Sequence, residues 1–474
     1  MPCSMDSLGK DNSGTEISDL NSSDRNSPNS AQAGAQAGAQ AGTMTEAGAV
    51  PAEFLVYQNV WERVNPHEYD ASCRLKFSAV SSRYPQAPAD TIAMWIADMD
   101  TKPLPEISAV IAEHVQSAYG YQEIDIGEAV QGWFAEQRCA EDSGFGNLGW
   151  VNANSVISVA SAIGAVDVAL KTCCAFGDEV MVLTPTYGPL LDCINSNHLK
   201  ANAIHAVRDE NGDDIIELSS LSKNATAFVL CHPNNPTGQV LSTSCQTDII
   251  RFCKEHDILI VTDEVHSEFG FLSNDEPLPI PLFGSNCGDV AHKDIIHINS
   301  VSKAFNLAAI PGASYVIIES AELRAKYSAA IASRHFEAGY LSQVALKAAY
   351  GIGRNWLNNI RKALGLNRKL VDYYLEQNNI DCDYTMGKAG YFLWLNLSRT
   401  ITCDGDKQNV FEITKKSVFN PASSFNNCVQ RGVIGSDGNQ FNASGWIRLN
   451  LACHPLQLVD ALNRLFFRHL STGL

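Results

Sequence analysis

Lys303 stands in DIIHINSVSKAFNLAAIPGAS (294–314), after an apolar run and a small-residue turn, and the chain beyond it is apolar and Ala-rich. A lone ammonium against apolar walls is a poor structural choice, because burial disfavours the charged form. The same desolvation makes an amine nucleophilic and suits it to Schiff-base chemistry. The alternative is a lysine whose stem lies along a strand end with its amine in water. Asp263 closes the run ILIVTD (258–263), and a buried carboxylate needs a partner. A protonated pyridine nitrogen would serve, and so would the amides of a helix start. Asn235 precedes Pro236-Thr237-Gly238 in CHPNNPTGQV, a turn that would fix one amide side chain above a sheet. Tyr187 in LTPTYGP could stack on a flat ring or belong to the core. Arg448 in WIRLNL is flanked by apolar residues, so it calls for a carboxylate in fork geometry, from a substrate or from a structural ion pair.

An anion would be met elsewhere. Ser161-Ala162-Ile163 opens a helix directly after a strand, where free N–H groups and the helix dipole favour negative charge. Ser300 adds a hydroxyl near Lys303. Neither G-x-x-x-x-G-K-[ST] nor G-x-G-x-x-G occurs, which disfavours a nucleotide phosphate.

The elements that must position these groups follow from the apolar pattern. From Val156 onward VISV, EVMVLTP, AFVLC, ILIVTD, DIIHINS and SYVIIES read as short, nearly continuous apolar strands with helices between several of them. That alternation predicts an α/β fold with a mostly parallel sheet covered on both faces. Ligands bind such sheets at the carboxyl ends of the strands. Ser161, Tyr187, Asn235, Asp263 and Ser300 to Lys303 all follow strands. TIAMWIADMD (91–100) reads as a short strand leading into a turn with two aspartates, with helices after it over 105–118 and 128–141 and a Tyr119-Gly120-Tyr121 turn between them. Beyond about 325 come a long helix through WLNNIRKALGLNRKLVDYYLEQNN, strands GYFLWLNL and GWIRLNLACH, and a last helix from PLQLVDALNRLFFRHL. The expected organisation is a low-complexity tail over 1–50, a segment over 51–100 contributing to a smaller α+β domain, a large domain over 101–330, and the rest of the smaller domain over 331–474. The tail carries AQAGAQAGAQAG at 31–42 and no aromatic residue, too little apolar surface to offset its ordering entropy.

Composition narrows the class. The 474 residues are 45% hydrophobic and 18% charged, with a formal charge of −18. An acidic chain without basic clusters argues against nucleic acid as a partner, and no stretch suggests a membrane. The fourteen cysteines are scattered and form no C-x-x-C pair, so neither a metal site nor a disulfide scaffold is expected. Buried free thiols fit a cytoplasmic protein.

HPNNPTG, TDEVHS, SVSKAFN and RLNLACH, in that order, resemble the fold-type I pyridoxal-phosphate enzymes of the aminotransferase superfamily. MWIADMD, YGY, DEVHS and SKAFNLA narrow the resemblance to the MalY/PatB-type cystathionine β-lyases, also called carbon–sulfur lyases, over roughly residues 54–470. The resemblance implies pyridoxal 5′-phosphate as cofactor. By position, Lys303 matches the Schiff-base lysine and Asp263 the partner of the pyridine nitrogen. Asn235 matches the amide bonded to the ring hydroxyl, and Tyr187 the stacking aromatic. Ser300 and the Ala162 and Ile163 amides match the phosphate cup, and Arg448 the anchor of the substrate carboxylate. Tyr121 matches a tyrosine that reaches the phosphate of a neighbouring subunit, which implies a homodimer with a shared active site. Four positions depart from common patterns: Ser161 for Gly, Tyr391 for Thr, Pro311 where many aminotransferases have Arg, and His266 where many have Tyr. The last two favour the lyase branch. The implied reaction is β-elimination from cystathionine or another cysteine S-conjugate, giving thiol, pyruvate and ammonia. Transamination on the same cofactor, and a non-catalytic regulatory protein of the same fold, are its rivals.

Overall fold

The computed structural model describes residues 50–62, 74–118, 120–137, 151–210, 213–272, 274–287, 295–399, 401–404, 414–417 and 424–467. The expected tail, but for Val50, and Tyr119 of the predicted turn lie outside the described residues.

Seven strands build the main sheet: β1 (Val156–Val159), β2 (Glu179–Thr184), β3 (Lys200–His205), β4 (Ala227–Cys231), β5 (Leu259–Asp263), β6 (Ile295–Ser300) and β7 (Ser314–Ile317). Their order is β1-β7-β6-β5-β4-β2-β3. β6, β5, β4, β2 and β3 run parallel, and β7 is antiparallel to both its neighbours, β1 and β6. The mostly parallel sheet is therefore as expected, with one strand reversed. Central strands in such a sheet are covered on both faces, so they carry no polar alternation. β4 and β6 are buried at every residue.

Register brings the strand ends together. Cys231 pairs with Asp263, and Asp263 pairs with Ile298, two residues before the end of β6. The chain leaving β4, β5 and β6 thus emerges at one edge of the sheet. Helix α1 (Ala162–Cys173) begins at that same edge after β1, with Ser161 as its N-cap. It buries Ala165, Val166, Ala169 and Leu170 against the sheet. The bare Gly164 leaves room for the tip of the Phe336 ring, which a Cβ there would displace.

A second, four-stranded sheet has the order β8 (Tyr384–Thr385), β9 (Phe392–Asn396), β11 (Trp446–Asn450), β10 (Ser436–Asp437), with its bonded pairs antiparallel. The long helix Arg354–Gln377 and the final helix Pro455–Phe466 share a core with it. The stretch 91–100 holds a short strand and then a tight turn, closed by the Asp98 amide on the Ile96 carbonyl. Only Ile92–Ala93 is strand, paired in parallel with Val433–Ile434, and the remainder is irregular chain. Its apolar residues Met94, Trp95 and Met99 are buried without strand pairing.

Candidate active site

Asp263 is buried at the end of β5, and one of its oxygens, Oδ1, accepts a hydrogen bond from the Val265 amide at 3.3 Å. Burial pushes its carboxyl up to about 6; the Val265 amide and Lys303 work against the shift and Glu264 adds to it.

Asn235 leaves β4 through a tightly held turn. The Thr237 hydroxyl donates to Asn234 Oδ1 at 2.8 Å, and Asn234 Nδ2 donates to the Pro185 carbonyl at 3.1 Å. Gly238 has φ +72°, and a Cβ there would lie 2.4 Å from the carbonyl oxygens of both Met386 and Ala389. The Gly238 carbonyl accepts from the Lys388 and Ala389 amides at 2.8 and 3.0 Å. Arg368 clamps the same loop through the Met386 and Gly387 carbonyls at 2.9 and 2.8 Å. The turn is therefore fixed from both sides, and Asn235 with it.

Lys303 sits in the short helix Val301–Ala304, whose N-cap is Ser300. The Ser300 oxygen accepts from the Ser302 amide at 3.1 Å, while its hydroxyl donates to the Ala313 carbonyl at 2.8 Å. Ser300 is thus turned to the backbone, and Ser302 reaches the cavity wall in its place. Lys303 Nζ donates to the Ala97 carbonyl at 3.0 Å. Desolvation brings this amine down to about 8; Arg448 lowers it further, while Asp98 and Asp263 favour the ammonium.

Arg448 on β11 is buried, with its guanidinium 4.2 Å above the Phe392 ring. Nη1 donates to Asn235 Oδ1 at 2.7 Å, and Nη2 donates to the Trp95 carbonyl at 2.8 Å and to Ser436 Oγ at 3.0 Å. Among the described residues no carboxylate pairs with it, and its hydrogen-bond partners are neutral. Burial lowers its pKa to about 10.

These groups face one cavity of ≈ 860 Å³ that also takes in Tyr187, Ala162 and Ile163. Ser161 Oγ accepts from the Gly164 amide at 3.0 Å, so the two preceding amides, first in α1, have no helical carbonyl to meet. Burial raises the Tyr187 phenol. Of the predicted residues, Ser300 stands behind the wall, and Tyr121 is fully exposed away from the cavity. His266, to which the sequence assigned no role, lines the cavity, as do Trp95 to Ala97 and the polar turn Asn439–Asn442. His266 is buried edge-on against Tyr391 and Phe392, and burial, with Lys303 and Arg448, holds its imidazole neutral, well below the usual range. The signal for Ser302 was its place beside Lys303; the turn 439–442 offered none.

His266 Nδ1, Tyr391 Oη and Arg448 Nε are buried polar atoms without a hydrogen-bond partner. A primary amine, a buried carboxylate 40 residues earlier in the chain, an amide fixed on a turn and the free amides of a helix start suit a flat, phosphorylated, cationic ring carrying an aldehyde. Pyridoxal phosphate fits that donor set. Among the described residues no group of His, Cys, Asp or Glu is placed to hold a metal, ten cysteines are free thiols, and no helix is long and apolar enough to cross a membrane.

The family model for aminotransferase class I and II matches residues 148–465, and the chain belongs to that family. Cystathionine β-lyase PatB of Bacillus subtilis is 26% identical over 389 residues, covering 79% of this chain and 92% of that protein. Protein MalY of Escherichia coli is 24% identical over 375 residues, covering 77% and 88%. The pyridoxal-phosphate-containing crystal structure of cystalysin from Treponema denticola superposes with a TM-score of 0.71 at 20% identity, over 86% of this chain and 97% of that one. The fold is that of fold-type I pyridoxal-phosphate proteins.

Proposed function

We propose that the protein is a pyridoxal-phosphate-dependent carbon–sulfur β-lyase acting on cystathionine or a related cysteine S-conjugate. The observation that carries this is the meeting of Lys303, Asp263, Asn235 and Arg448 on one cavity, in a chain that resembles named cystathionine β-lyases over most of its length.

When bound, pyridoxal phosphate supplies an electron sink for the charge left at the substrate Cα. Asp263 would hold the proton at the ring nitrogen. Its raised pKa shows how poorly an isolated carboxylate is solvated there, and therefore how strongly it would favour a cationic partner. Asn235 has its oxygen committed to Arg448, so its Nδ2 hydrogens are those left to donate to the ring hydroxyl. The Ala162 and Ile163 amides would take the phosphate, and Tyr187 would stack on the ring. Arg448 would bind the α-carboxylate through Nε together with a hydrogen redirected from Nη. With its pKa near 8, Lys303 has a usable neutral fraction at pH 7 and would remove the Cα proton. Loss of that proton and of the Cβ–S bond releases the thiol, and hydrolysis of the three-carbon remainder gives pyruvate and ammonia. Tyr121, exposed in the single chain, is proposed to serve the site of a partner copy in a cytoplasmic homodimer. The division into a large domain over 101–330 and a smaller one from the flanking segments is proposed on the two separate sheets.

The test is incubation of the holoenzyme with L-cystathionine in the absence of any 2-oxo acid. Sustained release of pyruvate and thiol is expected. An absolute need for a keto-acid acceptor would place the protein among the transaminases, and failure to take up the cofactor at all would leave a regulatory protein of the same fold.

A further inference from the structure

The MWIADMD stretch is a sequence feature that the proposed reaction does not use, and several hydrogen bonds fasten this irregular segment beside the site. The Asp98 amide donates back to the Ile96 carbonyl at 2.9 Å, a tight turn that points the Ala97 carbonyl the other way, at Lys303 Nζ. Asn450 Nδ2 ties the Ile96 and Asp98 carbonyls at 2.8 and 2.7 Å. Asn306, three residues after Lys303, ties the Met99 and Thr101 carbonyls at 3.0 and 2.8 Å and accepts from the Met99 amide at 3.1 Å. Below it lies a four-charge cluster, buried at Lys76 and Asp100 and half-buried at Arg74 and Asp98. Lys76 Nζ is 2.7 Å from Asp100 Oδ1 with both side chains inaccessible, and Arg74 Nη2 is 2.8 Å from Asp98 Oδ1. Burying such charges is expensive unless their geometry is held. Here the cluster holds a loop whose Ala97 carbonyl meets the amine of Lys303.

We propose that this loop is a resting site for the Lys303 amine, with the Ala97 carbonyl as its acceptor and Asp98 as a positioning residue whose carboxylate supports the ammonium. The inference rests on the reading of Lys303 as the residue that bonds the cofactor and must leave it in each turnover. The released amine is held at Ala97; the proton it takes from Cα makes it an ammonium beside Asp98. That proton passes to the departing thiolate sulfur, which leaves as the thiol, and the neutral amine is free to return to the cofactor. Arg74 tempers Asp98 by pairing with it. The other charged or titratable groups facing Lys303 are Arg448, Asp263 and His266, the last held neutral. Burial and Arg448 lower the amine's affinity for protons, and Asp98 followed by Asp263 opposes them.

The experiment is competitive labelling of the cofactor-free protein with acetic anhydride across a pH series, following the Lys303 peptide by mass spectrometry. The native protein should label with a midpoint near 8. Asp98→Asn should lower that midpoint by about half a unit or more, roughly threefold in the protonation ratio at fixed pH. Arg74→Met, which removes a cation and leaves Asp98 unpaired, should raise it. The pH profile of kcat in the loaded enzyme should move in the same two directions. Opposite shifts in the two variants support the proposal, since general loosening of the loop would move both alike. Midpoints that are unchanged, or that shift in the same direction, overturn it. Because labelling needs neither cofactor nor substrate, its outcome is independent of whether the enzyme eliminates or transaminates.

Discussion

Replacing Arg448 by lysine separates its two roles. The guanidinium now donates to Asn235 Oδ1, the Trp95 carbonyl and Ser436 Oγ and lies over Phe392, while Nε has no partner. Lysine keeps the charge but cannot hold two sides of one plane at once, so the fork presented to a carboxylate is lost. A hydrogen bond to a charged group is worth about 1.5–3 kcal/mol. The loss in kcat/KM should therefore be about 10- to 150-fold. Steady-state pyruvate release from cystathionine measures it, read beside the cofactor absorbance and thermal unfolding. A second, smaller effect should appear in stability, about 1–2 kcal/mol, because the Trp95 carbonyl and Ser436 stay buried with a poorer donor. Unchanged kcat/KM would refute the assignment of Arg448 to the substrate. Loss of bound cofactor as the main effect would show instead that its bond to Asn235 is its principal task.

Lys303→Ala should abolish multiple turnover while leaving the unfolding temperature close to native, checked by pyruvate assay and calorimetry; residual multiple turnover removes Lys303 as the base. In the cofactor-free protein Asp263 has a folded-state pKa raised to about 6 from 3.8, so the folded state binds the extra proton between those values. Its contribution to stability should therefore fall as pH rises from about 4 to 6, by at most about 3 kcal/mol. Urea unfolding of the native protein and Asp263→Asn across that range reads the difference, and a flat or rising difference contradicts it. Gly238→Ala, at φ +72° and against two carbonyl oxygens, should cost at least about 2 kcal/mol and weaken cofactor uptake by displacing Asn235. Denaturant titration and cofactor absorbance test both, and native stability in that variant would mean the turn can relax.

Much of the fold was legible in local sequence. Strand after strand was largely apolar, and β4 and β6 are buried at every residue because both faces are covered. The same pattern located Tyr187, Asn235, Asp263 and Lys303 at strand ends, where register then gathers them. A hydroxyl one helical turn before Lys303 reads alike in sequence whether it caps a helix or faces a ligand, and only the structure shows the Ser300 oxygen accepting from the Ser302 amide. In the stretch 91–100 the short strand and turn were legible, but its fastening through Asn306 and Asn450 was not, because those residues lie more than 200 positions away.

By itself, then, the chain's order of residues determined which groups are chemically capable and on which elements they sit, since periodicity and turn chemistry are local properties. Only the tertiary structure decided which carbonyl receives the Lys303 amine, which neutral partners hold Arg448 against Asn235, and that His266 is kept neutral beside them. Those outcomes depend on distances and desolvation set by the packing of segments far apart in the chain, and no local pattern encodes them.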